Sequence, residues 1–135
     1  MTNPDYGHTG RELELMLAGT KPLAMFYDDN GEPDERIVPE QEFDGYVMSG
    51  LFVKGTRVFD LAIDPRTGMP VQVRYVLYAL KSEAWRVNAM FLVKETLLKL
   101  RYRKGPDEAI ERMTSYLLGY SDEDFERHFG DTWRS

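Results

Sequence analysis

Three polar side chains in the predicted sheet belong to the residue types that bind anions. Arg74 and Tyr78 are an even number of residues apart on one predicted strand, so they point to the same face. Arg57 belongs to the neighbouring predicted strand, and Trp85 lies in the helix that follows. Guanidinium and phenol groups together bind carboxylates or phosphates. The pattern predicts a cleft for an anionic ligand between the sheet and the helix, although an ordinary solvent-facing strand explains the same residues.

The most acidic part of the chain, residues 28–44, contains eight acids and one base. The spacing of these acids does not match a calcium-binding loop. With Asp28 as the first position of an EF-hand loop, Pro33 and Pro39 stand where the loop needs Gly and Glu. An acidic surface speeds association with basic proteins, but a solvated hairpin tip has the same composition. We expect a basic protein partner here, contacted by Asp28, Asp29, Asp34 and Glu35.

The two histidines, His8 and His128, each lie near one end of the chain. Either is a candidate general base, and His128 follows Asp124 at helical spacing, which equally suits a surface histidine. The sequence has no phosphate-binding glycine loop, no dinucleotide-binding glycine motif, no nucleophile elbow and no H-E-x-x-H. It has no cysteine either. We therefore predict no catalytic residue, no metal site and no cofactor.

The composition indicates one folded domain: 135 residues, of which 42% are apolar and 30% charged, with a formal net charge of −6. Nucleic acid is an unsuitable partner, because binding its phosphates requires a net basic surface. No apolar run approaches the ~20 residues of a membrane span, and no signal peptide is indicated. We expect a cytoplasmic location and no membrane partner.

The elements that must position these residues are organised around one long helix, predicted over residues 82–104. Ser82 suits its N-cap. Trp85 marks one apolar side and Phe91 the opposite side, so the helix must be covered on two sides. Both residues should therefore be buried.

Strand signals precede this helix. An apolar run at residues 22–27 and an Asn-Gly turn predict a hairpin that returns at residues 36–38. Alternating apolar residues predict three further strands at residues 46–54, 57–63 and 71–80, joined by tight turns. The chain is therefore predicted to be a single α+β domain over residues 1–135. Its antiparallel meander sheet would have four or five strands, with the long central helix packed on one face, a short N-terminal helix and two C-terminal helices.

These features favour a non-enzymatic protein-binding module, such as a small inhibitor, immunity protein or antitoxin. The alternative is a small-molecule-binding or enzymatic domain that uses the anionic-ligand cleft. A homodimer that pairs through an uncovered sheet face is a further prediction, because both faces of the predicted strands carry apolar residues.

Overall fold

The computed structural model describes residues 8, 10–99 and 108–127. Its elements are α1 (Glu12–Leu17), β1 (Leu23–Asp29), α2 (Glu40–Met48), β2 (Phe52–Ile63), β3 (Pro70–Leu80), α3 (Trp85–Lys99) and α4 (Glu108–Leu118). A 3-10 turn, Lys81–Glu83, precedes α3, and residues 122–127 are helical. This content confirms the α+β class. The described helices include none with the length and apolar character needed to cross a membrane.

The described residues form one antiparallel sheet of three strands in the order β1-β3-β2, not the predicted four or five. The strand order also differs from a meander. β2 and β3 are a hairpin, but β1 pairs with β3 on its other side, and α2 lies in the connection from β1 to β2. β3 is therefore the central strand, and its side chains contribute to both faces.

The two missing strands have local causes. Residues 36–38 form a turn, because the amides of Ile37 and Val38 both bond to the carbonyl of Asp34 at 2.9 and 2.8 Å. The alternation after Tyr46 is misleading, since Glu40–Met48 is helix α2. There Phe43, Tyr46 and Val47 recur at helical spacing and pack on the sheet. The rest of the predicted strand 46–54 continues, without the predicted turn, into residues 57–63 as the single strand β2.

Helices cover both faces of the sheet. One face, here called the α3 face, packs Leu77 and Leu23 against Phe91 of α3 and Leu117 of α4. The other, the α2 face, holds the second core cluster, whose buried members are Met16, Ala24, Val38, Phe43, Phe52, Val76 and Tyr78. The predicted homodimer depends on a bare sheet face, whereas helices cover both faces of this sheet.

The central α-helix begins three residues later than predicted. The α-helix spans Trp85–Lys99, and the predicted end at residues 100–104 lies outside the described residues. Ser82 lies in the 3-10 turn, which has no side-chain cap, so its prediction as the helix N-cap is wrong. Phe91 is buried, but Trp85 is 53% exposed. The helix therefore packs strongly on its sheet side, and the predicted burial of Trp85 is wrong.

Candidate functional site

Arg74 is held by two carboxylates on the α2 face. It lies opposite Asp28 in the register of β3 and β1. Its Nε and Nη2 atoms donate to the two carboxylate oxygens of Asp28, both at 3.0 Å. Its Nη1 atom donates to Glu40 Oε1 at 2.9 Å, which fixes the first turn of α2 over the sheet. The guanidinium is thus bonded from two directions.

Lys54 and Tyr78 extend this cluster along the same face, where they pair across β2 and β3. The ammonium group of Lys54 donates to Glu40 at 2.8 Å and to Asp44 at 3.0 Å. The hydroxyl of Tyr78 donates to Asp44 Oδ1 at 2.7 Å, and the Tyr78 side chain is fully buried. We call Asp28, Glu40, Asp44, Lys54, Arg74 and Tyr78 the ion network.

The charges of the network stabilise one another. Hydrogen bonds from Arg74 hold the pKa of Asp28 below its ordinary value, against the effect of burial. Burial alone would raise the pKa of Glu40, but its bonds to Lys54 and Arg74 outweigh that effect and lower it. Burial, helped by the bond to Asp44, raises the pKa of Tyr78. All three carboxylates therefore stay ionised near neutral pH and Tyr78 stays a hydrogen-bond donor.

The predicted ligand-binding residues are only partly brought together. Arg74 and Tyr78 share the α2 face, but their polar groups already bind Asp28, Glu40 and Asp44. Arg57 is on the α3 face, where its guanidinium lies 4.7 Å from the ring centre of Phe91. Trp85 stacks on Arg86 at the start of α3. An anionic ligand at Arg74 would have to displace internal carboxylates.

The space predicted for that ligand, between the sheet and α3, is filled by side chains. A methyl group at Gly55 would lie 2.4 Å from Val87 Cγ1 and 3.1 Å from the ring of Phe91. Met90 is fully buried in the same core. A ligand at this position would need to open the main core. The described residues also contain no group of three His, Asp or Glu side chains placed to hold a metal ion.

The predicted partner surface divides into one buried acid and three accessible ones. The Asp28 side chain is 1% exposed and belongs to the ion network. Asp34 pairs with Arg36, while Asp29 and Glu35 are exposed and accept backbone amides from Gly31 and Gln41. Asp28 therefore positions this segment instead of meeting a partner.

A cleft of about 400 Å³ lies beside these acids, between α1 and α2. Apolar side chains of Leu13, Phe26 and Phe43 line it, and the rings of Phe26 and Phe43 meet edge to face at 5.3 Å. Among the described residues that line it, the carboxylates are those of Glu12, Glu14 and Glu42, and the base is Arg36. The site is thus a cleft lined about equally by polar and apolar groups, with an acidic rim.

Glu42 was missed because α2 was missed, and Glu12 and Glu14 of α1 were missed because the sequence did not place α1 beside α2. Glu12 accepts the Gly10 amide, and Glu14 pairs with Arg11. The Glu42 carboxylate has no hydrogen bond or ion pair to any residue the structure describes. The signal was present in the sequence: Pro39 followed by Glu40 and Glu42 is typical of a helix start.

His8 belongs to a separate cluster at the ends of α1 and α4. The ammonium group of Lys21 donates to the Leu118 carbonyl at 2.8 Å and lies 2.9 Å from His8 Nδ1. His8 stacks on the Tyr120 ring with the centroids 4.0 Å apart. These groups tie the two ends of the described chain together. His128, the other candidate, lies outside the described residues.

Comparison with protein-family models, curated proteins and solved structures finds no match to this chain, so its function is argued from the geometry of the cleft and the ion network.

Proposed function

We propose that this protein is a non-enzymatic protein-binding module. It receives a basic segment of another protein on the side of the molecule that carries α1 and α2, here called the α2 side. The single observation that carries this proposal is the cleft between α1 and α2, where apolar side chains lie beside three glutamates. Its volume of about 400 Å³ is at the lower end of the ~300–1,000 Å³ typical of small-molecule pockets, so a single side chain of a partner would fit it. An apolar centre with a charged rim is also the usual anatomy of a protein interface.

The charge of the surrounding surface supports the same proposal. Glu32, Glu35 and Glu42 are exposed, and none has a cationic partner among the described residues. The positive charges of Arg74 and Lys54 on this side are already paired with carboxylates of the ion network. A surface with unneutralised carboxylates attracts basic proteins and raises their association rate. An inhibitor, immunity or antitoxin-like role fits such a surface.

The test is a pull-down with the whole protein and two charge-matched variants. The first variant carries Glu32→Gln, Glu35→Gln and Glu42→Gln, and each amide keeps a hydrogen-bond acceptor in place. The second carries Glu95→Gln, Asp122→Asn and Glu123→Gln, which lie in α3 and in residues 122–127 and bring the same change in net charge. Captured proteins are quantified and sorted by isoelectric point.

Wild type and the second variant should capture the same basic proteins, and the first variant should lose them. Association with a purified captured protein should slow by about tenfold at low salt. If the two variants lose capture equally, only net charge matters and the α2 side is not the interface. Unchanged capture by the first variant would also reject it.

A further inference from the structure

Arg36 is an unexpected residue at the rim of the cleft. It is the one base among residues 28–44, and its side chain is 89% exposed. Asp34 holds it in place: one carboxylate oxygen accepts the Arg36 amide at 2.9 Å, and the other pairs with Nη2 at 3.0 Å. The structure thus holds Arg36, in an ion pair with Asp34, at a rim whose other described base is Arg11, the partner of Glu14.

Ile37, the next residue, also lines the cleft and is 52% exposed. It continues the accessible apolar surface of Leu13 and Phe26 out to the rim, above the buried ring of Phe43. An apolar side chain that entered the cleft would contact both its lining and Ile37. Burial of this surface would add affinity in proportion to the apolar area removed from water.

We infer that the occupant is a segment of a basic protein partner in which one large apolar residue, flanked by Lys or Arg, enters the cleft, and that Arg36 limits its affinity. This inference rests on the proposed function and names the partner's chemistry. The apolar residue packs against Leu13 and Phe26. The flanking cations face Glu12 and Glu42, since Glu14 is already paired with Arg11. The exposed guanidinium of Arg36, whose charge Asp34 offsets only in part, repels them. Such a repulsive element discriminates among partners, because the most cationic segments lose the most affinity.

Arg66 provides a closely matched control for Arg36. It also follows an aspartate by two residues, and Asp64 Oδ1 accepts its amide at 2.8 Å. Its side chain is 86% exposed, and it lies in the turn between β2 and β3, outside the cleft lining. Arg36→Gln and Arg66→Gln therefore change the net charge equally and keep both turns.

The probe is a fluorescein-labelled pentapeptide, Gly-Lys-Phe-Lys-Gly, with two comparison peptides. One replaces Phe by Gly and removes the anchor, and the other replaces both Lys by Glu. Affinity for the full-length protein is measured by fluorescence anisotropy and by amide chemical shifts. The lysine peptide with Phe should bind most tightly, with shifts at Leu13, Phe26, Ile37 and Glu42. Arg36→Gln should tighten its binding by about twofold to fivefold, and Arg66→Gln should not.

Ile37→Ala should weaken binding of the Phe peptide by about threefold without affecting the peptide that lacks the anchor. If the two lysine peptides bind equally well, the cleft takes no anchor and the inference fails, while the acidic-surface function stands or falls on the pull-down. An Arg36→Gln variant that binds no tighter than Arg66→Gln also overturns it. So does a dimer, seen by light scattering, that dissociates on Ile37→Ala, since the occupant would then be a second copy of the chain.

Discussion

At the scale of single residues, the Lys21 and His8 pair shows how burial sets protonation. Burial lowers the pKa of the Lys21 ammonium to about 8, with the charge of Glu12 acting in the opposite sense. Burial and then the Lys21 charge lower the pKa of His8 to about 4, while Asp124 raises it and Arg11 lowers it further. His8 is therefore neutral near pH 7, where its ring can accept a hydrogen bond from Lys21.

This pair predicts an acid-dependent loss of stability. The folded state binds the His8 proton only near pH 4, whereas an unfolded histidine binds it below its ordinary value of 6.5. The unfolded state binds more protons between these values, so the free energy of unfolding should fall as the pH drops from 6.5 to 4. His8→Gln should flatten the curve by about 1 kcal/mol, a discounted value because His8 is partly exposed.

Urea unfolding at a series of pH values measures the difference between wild type and variant. Carboxylates that titrate at the lower end affect both proteins alike and cancel in the comparison. Parallel curves for the two proteins would mean that His8 ionises as easily in the folded state as in the unfolded state.

At the scale of elements, Gly55 decides how α3 lies on the sheet. Lys54-Gly55-Thr56 has the composition of a tight turn, yet the structure places Gly55 inside β2. Its missing side chain leaves the space that Val87 and Phe91 of α3 occupy. Glycine in a strand often marks such a close approach, and the distinction from a turn depends on an element that follows much later in the chain.

Gly55→Ala should therefore destabilise the protein. The added methyl would lie 2.4 Å from Val87 Cγ1, and a valine side chain has little freedom to move away. We expect a loss of about 1–3 kcal/mol in the free energy of unfolding, measured by chemical denaturation. Gly45→Ala in α2 is the control: among the described residues, no atom outside the adjoining helix backbone and the two neighbouring residues lies within 4 Å of the added methyl. It should stabilise the protein by about 0.5–1 kcal/mol. Equal effects of the two substitutions would contradict the proposed packing.

At the scale of the whole molecule, the ion network joins β1, β3, α2 and β2 on the α2 face. Asp28, Arg74, Glu40 and Lys54 form a chain of bonds between these elements. It holds α2 against the sheet, and α2 with α1 forms the cleft. The network is thus the structural support of the candidate site.

Arg74→Met should destabilise the protein by about 3–5 kcal/mol, because it leaves the buried Asp28 carboxylate without its partner. Arg57→Met is the control: Arg57 is exposed and stacks on Phe91, so we expect a loss below about 1 kcal/mol. Chemical denaturation measures both changes in the free energy of unfolding. Adding Asp28→Asn to Arg74→Met should restore part of the stability.

Arg74→Met alone should also change how the free energy of unfolding depends on pH. In the wild type, Arg74 keeps the pKa of Asp28 below its ordinary value of 3.8, so this contribution is present above that pH and is lost on acidification. In Arg74→Met, burial should instead raise the pKa of Asp28. Acidification, which protonates this carboxyl, should then reduce the difference in the free energy of unfolding between the variant and the wild type. A variant as stable as the wild type throughout this range would show that Asp28 does not depend on Arg74.

Local patterns in the sequence determined the fold class, β3 and the core of α3. Their alternation and helical spacing extend over ten residues or more, so they do not depend on distant contacts. The acidic character of residues 28–44 is also a property of the sequence alone. The candidate site was only partly predictable: Arg74 and Tyr78 share a face as expected, and the acidic segment does border the cleft.

Only the tertiary structure decided which acids are buried and which are accessible, and where β1 pairs. Asp28 and Asp29 are neighbours with the same chemistry, yet Asp28 faces Arg74 across the sheet and Asp29 faces solvent. The cleft combines α1, α2 and the loop before α2, which short-range patterns cannot bring together. The physical reason is that pairing, burial and charge compensation depend on residues far apart in the chain, whereas local patterns report only the nearest turn or strand.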